Sequence, residues 1–548
     1  MRTTSSILLA VAGLFANSVL AQTPAPAPVA TPEQTALMRE IPLMALPYEP
    51  VPQRQPPCDG NRHILVIDID RDGDSDLLFE PIGWRGIRLM LNDGDGHFVE
   101  ETAARIPVDP VTPNAWRICA GDIDGDGDLD IVAGTDQGGY APRYVQGLIY
   151  INDGTTHFTS EGAARLPSIQ VYRYTSQNCT ALADFDGDGD LDLVLGGRYS
   201  IYYDRSIRLL RNDGRGYFTY DPNATGVDGA VSSSYEGYLF PFDADGDGDM
   251  DLYGNSVSGG IALWLNDGTA RLTDARRSHF LPGPAGSTFG VAAADVDGDG
   301  DPDLVATRGG SRGVPMLYLN DGIGHFHDAS ATHVDPRGVG DVALRCADFD
   351  GDGDQDFVTT VQTLPYTYPG GEQSFLNDGT GHFTLDVAHE VFPLVLNGGV
   401  AAFGIGDFDS DGDLDTLIPD SGIMPYAQCR TRYYLNTTRQ VWAENRPTIG
   451  SPWRVVVAAR QGELALVAYS VLSATHLWPP MGRLRLDPAT MLVSPSILTM
   501  GADHLVVTTI PIPNLPLLQG LPLHAQALVM HRNGSARLTN LWSEAAIR

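Results

Sequence analysis

No lysine occurs in this sequence; every one of its 35 basic residues is arginine. Schiff-base chemistry on a lysine amine is thereby excluded. Cysteine is scarce as well, with five residues in a chain of 548, too few for a disulfide scaffold. Cys119, Cys179 and Cys346 sit in apolar segments just before acidic loops and read as small buried thiols. Cys58 and Cys429 lie before the first repeat and inside the last. A bridge between them would staple the chain ends in an oxidising compartment, though sequence leaves the pairing geometry open. Long apolar runs are also missing. The stretch Ile7 to Phe15 is too short to span a bilayer. With Arg2 before it and Val19-Leu20-Ala21 after it, residues 1–21 read as a signal peptide. The expectation is a secreted, extracellular or cell-surface protein, cleaved near Ala21, with no membrane span. Positive charge is in deficit too, and a net charge of −34 speaks against nucleic acid as a partner.

The acidic excess has a narrow source. The pattern D-x-D-x-D-G-D-x-D occurs seven times and accounts for 35 of the 69 acidic residues. The loops are Asp68, Asp70, Asp72, Asp74 and Asp76; Asp122, Asp124, Asp126, Asp128 and Asp130; Asp184, Asp186, Asp188, Asp190 and Asp192; and Asp243, Asp245, Asp247, Asp249 and Asp251. The remaining three are Asp295, Asp297, Asp299, Asp301 and Asp303; Asp348, Asp350, Asp352, Asp354 and Asp356; and Asp407, Asp409, Asp411, Asp413 and Asp415. Carboxylates at loop positions 1, 3, 5 and 9, with the position 7 carbonyl and a glycine bend at position 6, make an all-oxygen cage. Such a cage suits a hard cation, and calcium tolerates its irregular geometry better than magnesium. Zinc is disfavoured because the loops contain no His or Cys. An EF-hand is excluded at its twelfth position, where Glu is replaced by Phe79, Ala133, Leu195, Gly254, Ala306, Thr359 and Ile418. Up to seven calcium ions are expected, one per repeat and chiefly structural, since clustered carboxylates repel when empty.

Successive loops start 54, 62, 59, 52, 53 and 59 residues apart. Each is followed by an Asn-Asp-Gly turn, at Asn92, Asn152, Asn212, Asn266, Asn320 and Asn377, which decays to Asn436-Thr437-Thr438 in the seventh. Around these two markers each repeat reads as four short strands, the last beginning at Phe98, Phe158, Phe218, Phe326 or Phe383 where that residue is present. Four strands repeated seven times predict an all-β fold, a seven-bladed β-propeller that leaves little exposed edge. Residues 22–57 form a Pro-rich linker and lead-in, part of which could add an outer strand. The propeller takes residues 58–447. From 451 to 548 the acidic loops stop and alternating apolar runs predict a C-terminal β-sandwich of about seven strands.

The loops and hairpins resemble the FG-GAP or VCBS repeats of the integrin α-chain propeller and of many secreted bacterial proteins. The resemblance covers about Arg62 to Pro447 and implies a seven-bladed propeller with calcium in the loop joining the first two strands of each blade. This chain departs in carrying a loop in all seven repeats and in lacking integrin-type companion domains, so integrin-like adhesion is not carried over. The tail, with Ile510-Pro511-Ile512-Pro513 and Leu538-Thr539-Asn540, resembles a C-terminal β-sandwich unit of exported bacterial proteins.

In a four-stranded meander the acidic loops and the Asn-Asp-Gly turns share one face, and the connections between second and third strands form the other. Those connections carry Tyr140, Arg143, Tyr144, Arg198, Tyr199, Tyr202, Tyr203, Tyr366, Tyr368 and Tyr426. Tyr and Arg suit stacking and planar hydrogen bonds to sugars or proteins, while local packing explains them equally well. The expectation is a non-catalytic binding or adhesion module for extracellular glycans or proteins. The alternatives are a lyase-like polysaccharide-active enzyme and a structural surface component. His97, His157, His325 and His382 recur at one hairpin position, which argues for packing; the unrepeated His389 is the nearest candidate for catalysis.

Overall fold

The run that leaves each acidic loop, such as Asp303-Leu304-Val305-Ala306, has consecutive rather than alternating apolar residues. A strand with that pattern must be covered on both faces. The structure, a computed structural model, describes the strand Met38–Ile41 and most of residues 61–548. The stretches 82–85, 108–113, 137–142, 199–206, 221–238, 256–260, 282–287, 362–370, 388–403 and 419–431, with several shorter ones, fall outside that description. The strand Asp303–Arg308 is buried at every residue but the last.

The described chain is an all-β, propeller-like fold of four-stranded antiparallel sheets. In the first unit Asn61–Ile67, Asp76–Pro81, Arg88–Asn92 and Phe98–Glu100 pair in sequence order. The first two strands flank the acidic loop, with Ile67 opposite Asp76; the last two flank the Asn-Asp-Gly turn, with Asn92 opposite Phe98. The same meander recurs in the following repeats. Units 2 and 3 merge into one eight-stranded sheet through the pair Ser176 and Asp136. Unit 5 gains Phe280–Leu281, which runs parallel to Phe326–Asp328.

The seventh unit differs. Its three strands, Gly404–Gly406, Asp415–Ile418 and Arg432–Asn436, are completed on the outside by Met38–Ile41 from the N-terminal lead-in. The strand that follows Asn436, Val441–Ala443, pairs instead with Pro452–Ala458 of the C-terminal region. Val441–Ala443 therefore does not supply the fourth strand of the seventh sheet.

Apolar side chains gather at each junction between neighbouring units. Units 1 and 2 share Leu78, Leu89, Ile118, Ile131 and Tyr150; units 3 and 4 share Phe185, Val194, Leu252 and Trp264. Units 4 and 5 share Tyr253, Leu263, Leu304 and Phe326. The seventh unit meets the first in the same way: Phe408, Leu417 and Tyr433 pack on Leu77, Phe79 and Phe98. There Phe98 lies 5.4 Å from Phe408 in an edge-to-face arrangement, favourable for the aromatic quadrupoles. In the C-terminal region two sheets share one core. One contains Pro452–Ala458 and Leu505–Pro511, and the other is built on Leu464–Ser470 and Leu523–Met530. Trp453, Val455 and Val457 from the first meet Val467, Ala525 and Ala527 from the second. No helix among the described residues is long and apolar enough to cross a membrane.

Candidate metal centre

Each acidic loop is first a set of hydrogen bonds. At position 1, Asp122 accepts from the N–H groups of Gly125 at 2.8 Å and Gly127 at 2.9 Å; Asp243 does the same for Gly246 and Gly248. At position 5 an oxygen accepts from the backbone two residues on, as Asp247 does from Asp249 at 2.9 Å, the local turn for which short acidic side chains are suited. Position 6 adopts φ of +93° at Gly248, a left-handed geometry that glycine takes without strain.

Position 9 ties the loop to its own hairpin, identically in all seven repeats. One oxygen accepts from the backbone of position 2 and the other from the hairpin asparagine. Asp251 accepts from Ala244 at 2.8 Å and Asn266 at 2.7 Å; Asp415 accepts from Phe408 at 3.0 Å and Asn436 at 2.8 Å. These carboxyls are fully enclosed. Burial pushes Asp76, Asp130, Asp192, Asp251 and Asp303 up to about 7, against the lowering effect of the backbone donors. Asp415 is raised well above the usual range, by burial and then by Asp409, Asp413 and Asp407. At position 3, burial followed by the neighbouring position 5 charge raises Asp70, Asp245 and Asp297.

Positions 1, 3 and 9 converge. Carboxylate oxygens of Asp68, Asp70 and Asp76 lie within 4.8 Å of one another, as do those of Asp122, Asp124 and Asp130, of Asp184, Asp186 and Asp192, and of Asp243, Asp245 and Asp251. In the fifth loop the group is Asp295, Asp297 and Asp299, which brings position 5 in. Buried Oδ1 atoms of Asp68, Asp124, Asp186, Asp245 and Asp297 accept no hydrogen bond. A buried carboxylate oxygen without a donor is costly, and a cation shared among three carboxylates removes that cost. The donor set is all oxygen, so these groups could hold a hard metal ion. Position 7 has a different place: the carboxylates of Asp74, Asp128, Asp190, Asp249, Asp301 and Asp354 lie against the turn glycine of their own hairpin, leaving their carbonyls as the expected ligands. Asp352 and Asp411 lie outside the described residues.

Sequence reasoning took the Asn-Asp-Gly motif as a turn and missed what its asparagine does. The side-chain amide of Asn212 donates to Ile123 O, at position 2 of the preceding unit's loop, at 2.8 Å, and to Leu191 O of its own loop at 3.1 Å. Asn266, Asn320, Asn377 and Asn436 repeat the bridge to Phe185, Ala244, Val296 and Phe349. Asn92 of the first unit reaches Phe408 O of the seventh at 2.8 Å. Six of the seven acidic loops are thus held between their own hairpin and the next unit's, while Asn152 of the second unit donates to its own Leu129 O at 3.2 Å.

Basic and imidazole groups from the short helices after the fourth strands reinforce these seams. Arg165 binds Glu161 at 2.7 Å and Asp124 at 3.3 Å, donates to Arg215 O, and sits 5.0 Å over the Tyr217 ring. Arg105 donates to Thr155 O. Between units 4 and 5 His279 stacks on His325 at 4.6 Å, and between units 5 and 6 His333 stacks on His382 at 4.0 Å. Two of the four repeated hairpin histidines are therefore seam contacts. His97 and His389 lie outside the described residues.

Of the predicted ligand face, Tyr140, Tyr199, Tyr202, Tyr203, Tyr366, Tyr368 and Tyr426 fall outside the described residues. Arg143–Tyr144 form a short strand, and Arg198 ends the strand Asp192–Arg198. Cys58 and Cys429 also lie outside. Cys119 and Cys346 are free thiols that burial pushes up to about 12, which makes them poor nucleophiles.

Fold and site together define a propeller-like protein with repeated acidic loops that could hold a metal ion. FG-GAP-like repeats match residues 68–133, 184–254, 243–306 and 295–359, so the repeats across residues 68–359 support the FG-GAP repeat family. No curated protein sequence matches the chain. Among solved structures, it is similar to the GH32 β-fructofuranosidase BmSUC1 of Bombyx mori at 10% identity, covering 79% of this chain and 87% of that one, with a TM-score of 0.26. It is also similar to a sucrose-6-phosphate hydrolase from Lactobacillus gasseri at 11% identity, covering 80% and 88%, with a TM-score of 0.28.

Proposed function

We propose that this chain is an exported, calcium-loaded seven-bladed propeller with a C-terminal β-sandwich, acting as a non-catalytic binding module for extracellular glycans or proteins. Residues 1–21 would be removed, and the propeller would span residues 58–447, with Val441–Ala443 lent to the domain at 451–548. In each loop the carboxylates at positions 1, 3, 5 and 9 and the carbonyl at position 7 would hold one calcium ion. The observation that carries the reading is the convergence of positions 1, 3 and 9 within 4.8 Å, with buried Oδ1 atoms lacking a donor.

Calcium at these places joins adjacent units and stiffens the acidic face, so the variable connections on the opposite face become the natural binding surface. Tyr140, Arg143, Tyr144, Arg198, Tyr199, Tyr202, Tyr203, Tyr366, Tyr368 and Tyr426 are the residues assigned to it. The test has two arms. Metal analysis after dialysis should return close to one calcium per loop. A glycan array in millimolar calcium should show selective binding that is lost when Tyr199, Tyr202 and Tyr203 are changed to Ala. Metal-free folded protein would refute the calcium assignment, and a negative array would refute the glycan reading.

A further inference from the structure

At the end of unit 5 remote from its metal loop lies a cavity of about 470 Å³, lined by Arg308, Gly313, Val314, Asp328, Ser330, Ala331, Val334 and Pro336. Arg308 is five residues beyond Asp303, or ~16 Å along a strand. The cavity therefore lies toward the face opposite the acidic loops. Its size falls within the ~300–1,000 Å³ of small-molecule sites.

We propose that this cavity is a binding site for a hydroxy-carboxylate, and specifically for a hexuronate unit of an acidic glycan. The inference rests on the glycan arm of the function proposed above. Arg308 is the anchor. Its Nε is buried without a hydrogen-bond partner, so a ligand would be met by the two Nη atoms at the open end of the guanidinium, a pair suited to a planar carboxylate. Gly313 makes room for it, since a Cβ there would lie 2.7 Å from Arg308 Cδ. Asp328 supplies the opposite chemistry. Its Oδ1 is fixed by the N–H of Ser330 at 3.0 Å and its hydroxyl at 2.5 Å, which leaves Oδ2 to accept from a ligand hydroxyl. A simple anion would satisfy Arg308 and be repelled by Asp328. A neutral sugar would satisfy Asp328 and leave the guanidinium without a charge partner. A sugar acid meets both, with Val314, Val334 and Pro336 facing its C–H surface.

Arg308 is also not part of the repeat. The same position after the ninth loop residue holds Pro81, Thr135, Gly197, Ser256, Val361 and Asp420 in the other units.

The test uses the full mature chain in saturating calcium, titrated calorimetrically with a dihexuronate and with the neutral disaccharide of the same linkage. The dihexuronate should bind about tenfold or more tightly than its neutral counterpart, as a charged hydrogen bond implies. Arg308→Gln should erase that preference, Asp328→Asn should weaken both ligands, and calcium content should be unchanged in each variant. Equal binding of the two sugars, no binding at millimolar concentration, or uronate affinity that survives Arg308→Gln would overturn the assignment. Array binding that persists in Arg308→Gln while the direct preference for the dihexuronate is lost would uphold this site and place the array's glycan face elsewhere. Direct uronate binding without array hits would uphold the site and limit it to short ligands.

Discussion

Replacing Asn212 by Ala tests whether the hairpin asparagines, rather than the turns they begin, hold adjacent units together. The side chain makes four hydrogen bonds: its amide donates to Ile123 O at 2.8 Å and Leu191 O at 3.1 Å, and its Oδ1 accepts from Asp213 N at 2.9 Å and Gly216 N at 3.0 Å. Asn212 is 8% exposed, so water cannot fully replace these partners. At ~1 kcal/mol for each net hydrogen bond, the loss is ~4 kcal/mol, and more if the two carbonyls stay dry. Asp213 in the same turn is the control. It accepts from Arg215 N and Tyr217 N at the exposed surface, and its removal should cost ~1 kcal/mol or less. Urea unfolding in saturating calcium, followed through tryptophan fluorescence with Trp264 buried in the adjoining core of units 3 and 4, separates the two. Asn212→Asp adds a diagnostic arm, because a carboxylate facing two carbonyls should be at least as damaging as Ala. If Asn212→Ala proves no worse than Asp213→Ala, the asparagine is only a turn former and the latch account fails.

Acid should act oppositely on the calcium-free and calcium-loaded protein. Because burial raises Asp76, Asp130, Asp192, Asp251 and Asp303 to about 7 in the fold, against ~3.9 unfolded, the folded chain binds more protons between those values. Calcium-free stability should therefore fall as pH rises from 4 to above 7, by ~1 kcal/mol per loop after discounting for solvent screening; melting in chelator across that range checks the sign. The calcium contribution should be greatest above pH 7 and fade on acidification, as protons compete for the same oxygens. Gly214→Ala should destabilise by ~2 kcal/mol through its φ of +72° and the nearby Asp190 carboxylate. Gly189→Ala, with φ of +96° but nothing within 4 Å of its Cβ, should cost only the backbone strain; equal losses would dismiss the clash. Finally, Arg165 on Asp124 and Arg211 on Asp186 at 2.6 Å already place a cation beside loops 2 and 3. Calorimetry should find a weaker class of calcium sites there, and Arg211→Gln should tighten loop 3; unchanged affinity would show that the guanidinium does not compete.

What could be read from the sequence is what the backbone demands locally. Seven loops with Asp and Gly at fixed positions specify their own hydrogen bonds, so the strand that enters and the strand that leaves are both located, as with Asn61–Ile67 and Asp76–Pro81. The latch could not be read that way, because its acceptor is a backbone carbonyl, which has no residue type. Phe408 O is 316 residues from Asn92, and nothing in the letters F or N announces the pair. One clue was present. The seventh turn loses Asp and Gly but keeps Asn436, and Asn436 still bridges to Phe349 O at 3.1 Å; a residue retained where the turn decays is serving something other than the turn. The seam groups carried a comparable clue in spacing, since Arg105, Arg165, His279 and His333 each lie 13 residues after a hairpin asparagine. The outer strand of the seventh unit is a different case. Met38–Ile41 and Val441–Ala443 are both short, and either could cap that sheet edge by pattern alone. The choice is settled by competition, since Val441 is drawn into the C-terminal core beside Trp453 and Val455, leaving the edge to the N-terminal strand. Local chemistry thus writes the repeats, while non-local bonds to backbone atoms join them. The metal loops take part in both, because position 9 binds its own hairpin while position 2 accepts the next one's asparagine. Calcium lost from one loop should therefore loosen two units rather than one.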